Sequence, residues 1–173
     1  MTDNPLIATR DAVPDDAADI ARIYNQGIED RQATLETQLR TPDERRAWLA
    51  ARGPRHPVLV ALAEGAICGW ASLNPFNPRA AYDHVADISV YIAREWRGRG
   101  VGRVLLSALE QRARAIGYHK LVLAGFPFNE PAVRLYTRQG FRAVGVYQEQ
   151  GLLDGRWVDV ILMEKLLVEP RAR

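Results

Sequence analysis

Apolar residues recur along this chain with two periods, and the switches between them lay out its elements. Leu6 to Ala8 is a first short apolar run and reads as a strand. Ile20, Ile23, Tyr24, Gly27 and Ile28 then fall three or four apart, so the spacing predicts a helix with one buried face. Pro14 suits the first turn of that helix, and Asp15 and Asp16 suit the positive end of its dipole. Glu29, Asp30 and Arg31 close it as a solvated end and open a polar connection through Thr34 and Glu36. Thr41-Pro42-Asp43-Glu44 is a capping box with proline in the first turn; Trp48 and Ala51 give the second helix a small apolar face, and Gly53-Pro54 stops it.

Val58–Ala63 and Ile67–Leu73 read as strands of a hairpin around Glu64-Gly65. In Asn74-Pro75-Phe76-Asn77-Pro78-Arg79 two prolines predict a rigid loop outside any ladder. Asp87–Ala93 is β-rich. Val101, Val104, Leu105, Ala108, Leu109 and Ile116 mark a strongly amphipathic helix that Gly117 ends. A strand at Leu121–Ala124 follows. Asn129 is a helix N-cap, with Pro131 in the first turn and Val133, Leu135 and Tyr136 on the apolar side. After Gly140 come strands at Phe141–Val146 and, past Gly155, Trp157–Leu166. The expected fold is α/β (α+β): one mixed, mostly antiparallel sheet of six to seven strands with helices on both faces.

Length adds that the 173 residues form one domain, with a core over about 6–167. A net charge of +2, with arginines scattered among 21 acidic residues, argues against nucleic acid as a partner. Cys68 is the only cysteine and His56, His84 and His119 lie far apart, so neither a disulfide framework nor a metal site is expected. No apolar run is long enough for a membrane span and no signal-peptide pattern opens the chain, which makes a cytoplasmic protein the default expectation.

The chemistry concentrates in Arg97-Gly98-Arg99-Gly100-Val101-Gly102-Arg103, between the Asp87–Ala93 strand and the long helix. Glycines let backbone N–H groups turn inward, and a helix N-terminus adds unpaired donors, so the stretch reads either as an anion cradle or as a basic turn. It lacks the Gly-Lys-Ser/Thr of a P-loop and the wider second gap of a dinucleotide fingerprint. The order Arg97-x-x-Gly100-x-Gly102 resembles the pyrophosphate loop of the GNAT superfamily of N-acetyltransferases. Asn129-x-x-Ala132-x-x-x-Tyr136 followed by Gly140-Phe141 is similar to a second element of that superfamily.

The resemblance runs over nearly the whole chain and implies a GNAT fold with acetyl-CoA as co-substrate. It implies cofactor contacts at Val90, Tyr91 and Ile92, at Arg97 to Arg103 (Gly98, Arg99, Gly100, Val101 and Gly102 between them), and at Asn129 and Tyr136. Ile23 to Glu29, Ala81-Tyr82-Asp83-His84 and Asp154 to Val160 further resemble the phosphinothricin and methionine-sulfoximine acetyltransferase branch. Within it, the chain is similar to enzymes of arsenic-resistance operons that acylate arsinothricin. Where that branch usually carries glutamate, this chain has Asp87.

The residues then imply roles. Asp87 is the candidate general base, working through a water because its side chain is short, or a carboxylate bracing the substrate loop. The resemblance implies that Tyr136 is the acid for the departing thiolate, whereas on spacing alone it is a core aromatic of an amphipathic helix. Glu29, Arg79 and Tyr82 join Asp87 as candidate acceptor contacts, with His84 behind them as a base or loop residue. Trp157 and Asp159 resemble positions near the acceptor site or a dimer contact. Cys68 reads as strand packing, so direct transfer in a ternary complex is expected. The acceptor expected is a small glutamate-like amino acid, the assembly a homodimer. Two alternatives stand: another small amine or a protein N-terminus as acceptor, and an acyl-CoA-binding module without turnover.

Overall fold

The structure, a computed structural model, describes residues 6–168, so the outermost residues of the expected domain lie outside it. Strand β1 (Ala8–Asp11) begins two residues later than its apolarity suggested. Pairing makes it a strand: Ala8 to Asp11 lie opposite Leu62 to Leu59 of β2 (Val58–Ala63). The first turn expected of the next helix is a separate 3-10 turn, Pro14–Asp16, before α1 (Ala17–Glu29). Buried Asp16 holds it together, accepting Arg10 at 2.6 and 2.9 Å and the Val13 N–H at 2.8 Å. The Thr41 capping box opens α2 (Pro42–Ala50) as the sequence predicts, with Thr41 Oγ1 and the Glu44 carboxylate each accepting the other's backbone N–H.

Five further strands complete one sheet: β3 (Ala66–Pro75), β4 (Val85–Ile92), β5 (Lys120–Gly125), β6 (Arg142–Leu153) and β7 (Arg156–Leu166). Their order is β1-β2-β3-β4-β5-β7-β6, and only β4 and β5 run parallel. On one face α3 (Val101–Ile116) packs Leu105, Leu106 and Leu109 against Leu59, Ala71, Leu73 and Ile88, joined by Val133 and Leu135 of α4 (Glu130–Arg138). The opposite face carries Val58, Val60 and Trp70 under Ile20 and Ile23 of α1. Alternation along β4 therefore sends Ala86 and Ile88 toward α3, and Asp87, Ser89 and Tyr91 toward α1 and α2.

Two boundaries differ for reasons that matter to the site. Pro75 was expected outside any ladder but ends β3 opposite Ala86. Its nitrogen faces the β2 side, where β2 has already ended opposite Ser72, so no ladder bond is lost. Strand β6 runs on to Leu153, well past Val146, and keeps pairing with β7 across irregularities at Ala143/Gly145 and Tyr147/Gly151. The polar run Gln148-Glu149-Gln150 hides this extension because it has no alternation to read.

Candidate active site

The site begins where β4 leaves β5. The two strands pair only from Val85 to Asp87, opposite Lys120 to Val122, and β5 then continues against β7 alone. The Ala93 N–H bonds the Cys68 carbonyl across from it, so alternation turns the backbone groups of Asp87, Ser89 and Tyr91 toward β3. Those of Ile88, Val90 and Ile92 face the gap. A cavity of about 230 Å³ opens there, lined by β4 from Asp87 to Tyr91, by Ala124 to Phe126, by Tyr136, and by Ala33 to Leu35 of the α1–α2 connection.

Asp87 sits at the apex. Burial pushes its carboxyl up to about 6, against a weaker opposing hydrogen bond from Asn74. Tyr136 reaches the same cavity from α4; burial, and then the charge of Asp87, raise its phenol to about 12. Tyr91 lines the cavity with its backbone while its ring stacks on Trp70 at 4.8 Å and meets Tyr24 edge-on at 4.9 Å. Gly27 makes room for that ring, since a Cβ there would lie 3.0 Å from it.

The glycine loop is built as a cradle. Gly98 and Gly100 have φ of 73° and 86°, which glycine adopts without strain. The N–H groups of Val101, Gly102 and Arg103 precede the first α3 bond, made by Val104 to the Gly100 carbonyl at 3.2 Å. Gly102 has another reason to be glycine: a Cβ would lie 2.8 Å from Leu135 Cδ2, where α3 meets α4. Gly102→Val is therefore expected to cost about 1–3 kcal/mol by overpacking before any ligand is added, readable by urea denaturation.

The arginines divide. Arg97 donates to Asp30 at 2.6 Å and to the Ile92 carbonyl at 3.3 Å, tying the loop to the end of α1 rather than offering its head to an anion. Arg99 lies over the Trp96 ring at 5.2 Å, and Arg103 is exposed. Asn129 caps α4, accepting the Ala132 N–H at 3.3 Å and donating to the Gln32 carbonyl at 2.9 Å.

Other sequence-chosen residues are not among those that line the cavity. Glu29 is exposed and pairs with Arg94 at 2.7 Å. Arg79 and Tyr82 stand on the β3–β4 loop, where Tyr82 meets Phe76 edge-on at 5.4 Å and the Arg79 N–H bonds Asn77. His84 is exposed, its carbonyl taken by the His119 and Lys120 N–H groups. Asp159 accepts the Glu149 N–H at 2.8 Å, and Trp157 is exposed on β7. Cys68 is fully buried against the Ala61 carbonyl, and burial pushes its thiol pKa up. Sequence reasoning missed Asn74, Ser89, Arg52 and the Thr34-Leu35 wall. Asn74 opposite Asp87 in a hairpin register was the available signal. No group of three or more His, Cys, Asp or Glu among the described residues could hold a metal ion, and no described helix is long and apolar enough to cross a membrane.

Residues 20–141 match the acetyltransferase (GNAT) family. Phosphinothricin N-acetyltransferase of Streptomyces coelicolor is 32% identical over 93% of this chain and 96% of its own. L-methionine sulfoximine/L-methionine sulfone acetyltransferase of Pseudomonas paraeruginosa is 35% identical over 90% of this chain and 91% of its own. A crystal structure of a phosphinothricin acetyltransferase from Sinorhizobium meliloti in complex with acetyl-CoA superposes with a TM-score of 0.88, at 32% identity, covering 96% of this chain and 91% of that one.

Proposed function

Since this chain belongs to the GNAT family of acetyltransferases, and is an N-acetyltransferase that uses acetyl-CoA, we propose that its acceptor is the α-amine of a small glutamate-like amino acid: phosphinothricin, methionine sulfoximine or arsinothricin. The observation that carries the reading is the half-buried Asp87 at the apex of the β4–β5 gap, sharing one cavity with Tyr136.

In this reading the Gly98–Arg103 cradle takes the pyrophosphate of acetyl-CoA through backbone N–H groups, and the free edge of β4 takes its pantetheine arm as an added strand. The Val90 N–H, aimed into the gap, supports the oxyanion. Asp87, ionised at neutral pH yet a stronger base than an ordinary carboxylate, accepts the amine proton directly or through one water. Tyr136 keeps its proton at that pH and offers it to the departing thiolate. Arg79 follows a stiff Asn77-Pro78 turn on the loop whose base is the Asn74–Asp87 pair, and its side chain has no carboxylate partner among the described residues. It selects the acidic end of the acceptor. A thiol-release assay with acetyl-CoA tests the reading. Glutamate analogues are expected to outpace plain amino acids and polyamines, and thiol release with none of them would reduce the protein to an acyl-CoA-binding module.

The proposal includes a cytoplasmic homodimer. Val146 and Leu152 of edge strand β6, with Leu152's cross-strand partner Trp157 of β7, share one face of the sheet and are about half exposed or more, a patch suited to a second copy. Sedimentation velocity is expected to give a dimer, and Val146→Asp to shift it toward monomer.

A further inference from the structure

Asp87 does not stand alone on its face of the sheet. Directly across the β3–β4 register lies Asn74, whose Nδ2 donates to Ser89 Oγ at 3.0 Å and reaches Asp87 Oδ2 at 3.4 Å. The other end of that amide is held by two donors, Ser72 Oγ and Arg52 Nη2, both 3.0 Å from Oδ1. With Oδ1 accepting from both, the amide has one orientation that satisfies its neighbours, and its N–H pair must face β4. Ser72 is fully buried. Arg52 is itself fixed, donating to the His56 carbonyl at 2.7 Å and to the Leu73 carbonyl, with its head over Trp48 at 4.4 Å. This is more apparatus than an interstrand contact needs.

We propose that Asn74 is the positioning residue of the acetyl transfer: clamped by Ser72 and Arg52, it holds and tunes the Asp87 carboxylate while sharing its second N–H with Ser89. The proposal rests on Asp87 being the base. The Asn74 bond favours the charged carboxylate and so opposes the burial that raises its pKa. Among the described residues the titratable groups that line the cavity with Asp87 are Tyr136 of α4 and Tyr91 of β4; Arg52, after α2, stands one amide away, and β5 brings uncharged Val122 opposite.

Removing the amide and removing its Ser89 partner then have opposite effects. Asn74→Ala removes the bond that stabilises the charge, so the Asp87 pKa should rise by about half a unit or more. Ser89→Ala removes a competing acceptor, lets the amide move onto Asp87, and should lower it. The Asp87 pKa is read directly, as the carbon-13 carboxyl titration of aspartate-labelled protein that disappears in Asp87→Asn. It is read again as the acid limb of kcat/KM, with the KM for acetyl-CoA expected to stay constant. Asn74→Ser keeps a small polar side chain and serves if the alanine variant misfolds. Opposite shifts in both readouts bear the proposal out. Titration unmoved by both Asn74 variants overturns the positioning role and leaves Asp87 as base. Full activity in Asp87→Asn overturns the base itself, whatever the Asn74 variants do.

Discussion

Asp87→Asn is expected to lose turnover by about 100- to 10,000-fold while the protein becomes more stable at pH 7. Both effects come from one buried carboxyl. Its pKa stands at about 6 in the folded protein against 3.8 for the ordinary group. Between those values the folded state holds a proton that the unfolded state has lost, so stability falls as pH rises through that window, and the cost is complete above pH 6. At roughly 1.4 kcal/mol per unit, the ionised form costs the fold about 2–3 kcal/mol, an amount a neutral amide removes. For a chain of this size that is on the order of 5 °C in Tm. The advantage of the amide should fade below about pH 4, where Asp87 is protonated in both states. Thermal unfolding at pH 7 and pH 4, beside steady-state rates, checks both halves. An asparagine variant no more stable than the parent at pH 7 would remove the picture of a strained base. Asp87→Glu is the companion variant. It keeps the carboxylate on a side chain one methylene longer, and the distance from β4 to the cavity decides whether that side chain reaches too far.

Arg79→Ala is expected to raise the acceptor KM at least tenfold and leave the KM for acetyl-CoA unchanged. An arginine fork holds a carboxylate, phosphinate or arsinate by two parallel bonds, and losing such a charge-assisted pair typically costs about 1.5–3 kcal/mol. Arg79→Lys should recover part of the loss, because an ammonium cannot form the fork. The loop geometry supports the role: Arg79 starts a 3-10 turn, Ala80–Tyr82, between strands whose last pairs place Asn74 opposite Asp87. Equal acetylation of phosphinothricin by parent and Arg79→Ala would remove the acidic acceptor from the proposal.

Local periodicity decided much of this protein. The 3.6-residue spacing in Val101–Ile116, the Thr41 capping box and the glycines after the helices each act within a few residues, so the chain alone determined four helices and the place of the glycine loop. Strand ends were another matter. Thr9-Arg10-Asp11 of β1 is polar, and the end of β6 carries Gln148-Glu149-Gln150; each is in a strand because a partner supplies hydrogen bonds, and no residue announces its partner. Candidate chemistry divided in the same way. Asp87 and Tyr136 were visible as residue types beside a recognisable loop, and tertiary structure put them in one cavity. Arg97 and Gly102 were legible only as parts of an anion cradle, until folding brought Asp30 to the one and Leu135 to the other. The Ser72–Asn74–Asp87–Ser89 cluster and its clamp by Arg52 join residues up to 37 positions apart, as a hairpin register and a returning loop dictate. Burial set by that packing, and not the aspartate itself, raises the carboxyl toward neutrality.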